Sequence, residues 1–250
     1  MRPFFISLGL ILGTCLPGGV NANPQNANIV HGDVTIENYG NTLQILQGSD
    51  KAIIEWGDFS IGLEEATQFL QPGSSSSVLN RVMGGNASAI DGILEANGRV
   101  LLINPNGILF GPNATVDTGG FLASTLDLSD ENFLGGGDLF FSGASPAAIV
   151  NLGAISASDG DVILIANQVS NQGSINAPNG MVGLGAGTEV LLAESGNERM
   201  FVRGGIGGSV GVDNAGSIEA QVSELKAGGS IYATAIRNSG RVRATSVHRE

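Results

Sequence analysis

Short apolar runs, each closed off by Gly, Asn, Pro or Ser, set the pattern of this chain. "RVLLI" from Arg99 and "DVILIA" from Asp161 are typical: four to six residues, rich in Val, Ile and Leu, with turn residues on both sides. Runs of that length are too short for helices, and their β-branched content predicts strands. Only "LEEATQFL", Leu63–Leu70, leaves room for a helical turn.

The strands recur. "NLGAI" at Asn151, "NQGSI" at Asn171, "NAGSI" at Asn214 and "NSGRV" at Asn238 share an Asn-x-Gly-x-aliphatic unit at spacings of 20, 43 and 24 residues. The spacing of 43 is about twice the others, as if a repeat within "LLAESGNERMFVRGGIGG" had lost its signature. A second unit interleaves with the first: "NGRVLLI" at Asn97, "DGDVILI" at Asp159, "NGMVGLG" at Asn179 and a looser "GGSIYAT" at Gly228. Units of 20 to 24 residues with two or three short strands predict the coils of a parallel β-helix. At ~4.8 Å per stacked strand, roughly ten coils and a rod near 50 Å are expected. One coil buries too few aliphatic side chains to offset the ordering of its backbone, so each needs neighbours. Gly and Ala suit a narrow interior, and Asn suits repeated turns where side chains can stack in ladders. Residues 23–97 lack the repeat and contain the one tryptophan, Trp56, which predicts an N-terminal cap over the first open strand edges.

Composition narrows the function. The chain has 250 residues, 39 of them Gly, with 14% charged side chains and a formal charge of −12. Such acidity argues against nucleic acid and anionic membrane as partners. "MRPFFISLGLILGTCLPGGVNA" has Arg2, an apolar core and a small-x-small ending at Ala22, the pattern of an export signal over residues 1–22. Cleavage after Ala22 would remove the one cysteine, Cys15, and leave a formal charge of −13, so no disulfide could support the exported fold.

Chemistry is sparse. His31 and His248 lie near opposite ends, which disfavours a Ser/His/Asp triad or a histidine metal site. The pairs Glu64–Glu65 and Asp130–Glu131 read as solvated turn residues. "GGIGGSVG" from Gly204 fits neither the calcium-repeat glycine pattern nor G-x-G-x-x-G. Sequons at Asn86 and Asn113 decide nothing. No catalytic, cofactor or metal set is expected.

"NPNG", Asn104–Gly107, is a turn signal, with Pro105 at the position where a preset φ is favoured. "APNG" at Ala177–Gly180 reads as the same turn in a later coil, so a structural corner is the default reading of Asn104, Pro105, Asn106 and Gly107.

Context adds a second layer. "SDKAIIEWGDFSIG", "FLQPGSSSSVLNRV" and "SAIDGILEANGRVLLINPNGILFGPNATVDTGGFLAST" together resemble the N-terminal secretion domain of two-partner secretion exoproteins, the filamentous-haemagglutinin-like family. The resemblance is close over 29–125 and looser to about residue 247. It implies an all-β fold: a right-handed single-stranded parallel β-helix with an N-terminal cap. It also implies export to the periplasm, recognition by an outer-membrane transporter through its POTRA domains, and folding coil by coil outside the cell. The family's secretion motif falls on Asn104, Pro105, Asn106, Gly107 and Ile108. Phe69, Gln71, Pro72, Asn80 and Arg81 carry the supporting blocks, while the family's NPNL motif has no match.

The expected organisation is a signal over 1–22, a cap with the first coils over 23–97 and further coils over 98–250. The product is expected to be secreted or held at the cell surface. A passenger beyond the domain would meet host or cell-surface glycans or proteins, and the chain reads as a fragment or a shortened frame. Two alternatives stay open: an exported carbohydrate-active β-helix enzyme of pectin-lyase type, and a plain surface adhesin.

Overall fold

A computed structural model describes residues 23–196, 198–204, 211–228 and 235–245. The expected signal with Ala22, most of "GGIGGSVG", most of "GGSIYAT", and His248 lie outside the described residues.

The apolar runs form strands that stack in parallel on three faces. One coil comprises Ile93–Ala96, Arg99–Ile103 and Ile108–Phe110, and the next carries Thr115–Thr118, Gly120–Ser124 and Ala148–Asn151 in the same order. Equivalent residues stand opposite each other: Val116 faces Leu94 and Ile155, Leu122 faces Leu101 and Ile163, and Ile108 faces Ser88 and Ile149. Alternate side chains turn inward, so Leu94, Val100, Leu102, Phe110, Val116 and Phe121 fill one continuous core. This is a parallel β-helix.

The repeat signature now has a physical basis at each position. Asn151, Asn171, Asn214 and Asn238 form a side-chain ladder, each amide donating to the next carbonyl oxygen at 2.9, 2.7 and 2.8 Å. The first three are fully buried, so each Asn satisfies its neighbour where water cannot. The Gly two residues later packs against backbone: a Cβ on Gly173 would lie 2.1 Å from the carbonyl oxygen of Gly153. The aliphatic residue, Ile155, Ile175 or Ile218, points into the core.

The open N-terminal edge is capped by reversing the chain. Val34–Tyr39 pairs antiparallel with Thr42–Gln47, and Asn28–His31 pairs antiparallel with Lys51–Trp56. Beneath this cap Trp56 meets Phe59 edge to face, with ring centroids 5.6 Å apart.

Three sequence expectations are corrected. No coil is missing between Asn171 and Asn214, because the two pair directly in adjacent rungs. The extra residues leave the coil instead. Glu189–Leu192 and Met200–Arg203 join Asp127–Leu128 and Leu139–Ser142 in a four-stranded antiparallel sheet outside the helix. With those residues spent elsewhere, the first face has eight rungs among the described residues, about 34 Å of stack at ~4.8 Å per step. The third correction concerns the helical turn. Ala66–Leu70 is a strand, held by ladders on both sides, with Phe69 inward. The helix lies at Asp130–Gly135, where Ser129 Oγ accepts from the Asn132 amide and two acidic residues occupy the first turn.

The outer sheet makes the second face unusual. Its strands Gly120–Ser124 and Val162–Ala166 are buried at every position. Inward residues meet the main core, while Ile53, Leu79, Leu101, Leu122 and Ile163 meet Phe133, Phe141, Val190 and Met200 in a second core.

Candidate functional site

Asn104 ends the strand Arg99–Ile103 and begins the corner to the third face. Its amide donates to Ser124 O at 2.9 Å in the next coil. Its carbonyl accepts from Gly107 N at 3.1 Å, closing the turn that Pro105 presets, and Gly107 takes φ = +109°. The side chain of Asn104 is fully buried. Its Nδ2 donates to Asn86 O and Ser88 Oγ, both at 3.0 Å, and its Oδ1 accepts from the Asn106 amide at 2.9 Å and Asn106 Nδ2 at 3.1 Å. Asn106 Nδ2 also reaches Gly84 O at 2.8 Å, and Ser145 Oγ donates to Pro105 O at 2.5 Å. Gly84 and Ser88 precede this coil and Ser145 follows it. The corner therefore staples three successive coils, while Pro105, Asn106 and Leu109 form its exposed crest.

"APNG" is not the same corner. Ala177–Gly180 joins the first face to the second inside the continuous strand Ser174–Ala186, at an irregularity between Ala177 and Met181. NPNG joins the second face to the third.

Two of the supporting residues, Gln71 and Asn80, meet this corner's strand. Phe69 is buried in the core, and Pro72 is exposed at a corner. Gln71 donates to Gln47 Oε1 at 3.1 Å and to Arg99 O at 3.4 Å, and its backbone exchanges two 2.7 Å bonds with the Asn97 side chain. Asn80, fully buried, accepts from Trp56 Nε1 at 2.9 Å and donates to Leu101 O at 3.2 Å. Gln71, Asn80 and Asn104 thus hold the beginning, middle and end of Arg99–Ile103. They do not form one surface patch.

Arg81 faces the other way, toward the outer helix. It binds Asp127 at 3.1 Å, Asp130 at 2.8 Å and Leu128 O at 2.7 Å. Burial disfavours its charge, but the Asp130 hydrogen bond and both carboxylates outweigh that and raise its pKa further. Asp130 is therefore an anchor, not a free turn residue. Lys51 performs the matching task at the other helix end, donating to Phe133 O and Leu134 O at 2.8 and 3.0 Å. Sequence reasoning missed both the outer sheet and Lys51. The available signal was the unbroken apolar run "VILIA", since a strand covered on one side alternates and one covered on both does not.

Among the described residues no group of three or more His, Cys, Asp or Glu is placed to hold a metal, and no helix is long and apolar enough to cross a membrane.

The fold is that of a capped parallel β-helix. The chain belongs to the TPS secretion domain family, two-partner secretion, whose family model matches residues 20–250. It is 36% identical over 193 residues to a heme/hemopexin-binding protein of Haemophilus influenzae, covering 72% of this chain and 21% of that protein. A second heme/hemopexin-binding protein from Haemophilus influenzae is 44% identical over 126 residues, 48% of this chain and 14% of that protein. The chain spans about a fifth or less of the length of these relatives. It superposes on the crystal structure of the HMW1 secretion domain from Haemophilus influenzae with a TM-score of 0.74 and 36% identity, over 81% of this chain and 57% of that one. The filamentous hemagglutinin secretion domain matches with a TM-score of 0.52 and 14% identity, over 88% and 100% of the two chains, a likeness of fold alone.

The chain is the secretion domain of a two-partner secretion exoprotein, a class secreted across the outer membrane of Gram-negative bacteria with a cognate outer-membrane transporter as partner. The family is one of secretion domains, and the match supports that reading over the carbohydrate-active alternative.

Proposed function

We propose that the transporter reads Asn104–Ile108 in the extended chain, through its periplasmic POTRA domains, and that the same residues afterwards staple the coils of the exported domain. The observation that carries this reading is the complete burial of Asn104 together with the engagement of both its amide atoms. A group consumed inside the fold is available to a receptor only before folding. Export then becomes directional, because each coil that closes outside uses up groups that the receptor held.

In this reading residues 1–22 are removed after Ala22, 23–97 form the cap and first coils, and 98–250 form the remaining coils. The domain addresses a passenger. Binding of haem or hemopexin, which the relatives' names state of those proteins, is the passenger activity to assay first.

The test places a photo-crosslinker at the neighbouring exposed Leu109 in a chain held in the periplasm, with and without Asn104→Ala and Asn106→Ala, and measures secretion of the double variant. The expected results are a crosslink to the transporter's periplasmic domains that refolding abolishes, and loss of secretion with loss of that crosslink in the double variant. Secretion left intact overturns the reading. So does lost secretion with the variant's transporter association undiminished, which assigns the motif to folding alone.

A further inference from the structure

We propose that a cleft between the second face and the outer sheet binds a small monoanion with an apolar body, its carboxylate seated on Arg99. The cleft measures about 590 Å³, within the ~300–1,000 Å³ usual for small-molecule sites. It follows from one missing side chain. Lys51, Ser77, Arg99 and Gly120 stand opposite one another on consecutive rungs of the second face. At Gly120 the row has a gap, and a Cβ there would come within 3.2 Å of Arg99 Cγ. The hollow so formed is walled by Leu101, Leu122, Ile163, Phe133, Leu139 and Leu192.

Three cations line the cleft, and two are committed. Lys51 holds the carbonyls of Phe133 and Leu134. Arg199 binds Asp161 at 2.8 Å and Ala193 O at 3.0 Å. The Arg99 guanidinium has no hydrogen-bond or ion-pair partner among the described residues, and it stands beside a wall of mixed polar and apolar side chains. A planar carboxylate satisfies such a fork with two parallel bonds while the rest of the ligand lies against the partly exposed Leu139 and the edges of Leu101, Leu122 and Leu192. Asp159 and Glu194 also line the cleft and repel a second negative charge, which selects a monoanion over a dianion.

Isothermal titration of the exported protein with 1-naphthoate, and with the uncharged 1-naphthalenemethanol, tests the assignment. Saturable one-to-one binding of naphthoate is expected, with the alcohol and the Arg99→Gln variant each weaker by roughly tenfold or more. Gly120→Ala, which narrows the hollow, is expected to weaken naphthoate as well, with circular dichroism reporting the fold of each variant. Arg99 is exposed, so Arg99→Gln retains the fold and decides the matter even if Gly120→Ala does not fold. Absence of saturable naphthoate binding, or equal affinity for the alcohol or in Arg99→Gln, overturns the proposal.

Discussion

The guanidinium of Arg81 donates to the Asp130 carboxylate at 2.8 Å across 49 residues of sequence, from a coil strand to the first turn of the outer helix. The bond ties a block that identifies the family to a decoration that the repeat pattern does not contain. The side chain of Arg81 is only 14% exposed, so its loss takes a donor from the carbonyl of the buried Leu128 as well as from two carboxylates that water still reaches.

Arg81→Gln is expected to destabilise the domain by about 2 kcal/mol, the scale of charged hydrogen bonds lost from a partly buried site. Urea unfolding measures it. A double-mutant cycle with Asp130→Asn should return positive coupling, since the two residues share one contact.

At the corner, Asn104→Ala leaves the Asn86 carbonyl, the Ser88 hydroxyl and the Asn106 amide short of partners. A loss of about 2–3 kcal/mol follows for three bonds lost at once, one of them fully buried, and about 1 kcal/mol for Asn106→Ala on the exposed crest. Equal losses in urea unfolding would show that burial does not govern the corner.

The Asn ladder and the Gly stack make a sharper contrast. Gly173→Ala drives a Cβ into the Gly153 carbonyl oxygen, a backbone atom that cannot rotate away, and is expected to cost about 3 kcal/mol or more. Gly73→Ala, where nothing lies within 4 Å, is expected to be close to neutral. Thermal melts of the two variants check the pair.

Asp213 is held below the usual carboxylate range, first by the hydrogen bond from Arg237, with burial partly opposing. A folded pKa below the unfolded value means that the pair stabilises above about pH 4 and loses that contribution as pH falls further. The effect is small because Arg237 is exposed and screened. Arg237→Gln should flatten the acid limb of urea midpoint against pH, and added salt should do the same to the parent protein.

Much of the solenoid is legible in the chain because its rules are local. Asn151, Gly153 and Ile155 recur as Asn171, Gly173 and Ile175 since each coil meets the same neighbours, so the repeat records the ladder, the close approach and the core position together. The corner at Asn104–Gly107 is legible for the same reason: Pro105 and Gly107 announce a turn in any context. Which way the Asn104 side chain points is not legible, because its partners Asn86 and Ser88 belong to another coil.

By itself, then, the sequence determined most of the strands, their stacking and the cap, which follow from short-range pattern and repetition, while the family was legible in the blocks that resemble it. Tertiary structure alone decided the number of coils, the outer sheet and the fate of Asp130 and Lys51. The physical reason is range. Asp127–Leu128 and Met200–Arg203 carry no periodicity of their own and become strands only by pairing with Leu139–Ser142 and Glu189–Leu192 over the second face, where the outward apolar residues of Arg99–Ile103 and Val162–Ala166 require cover.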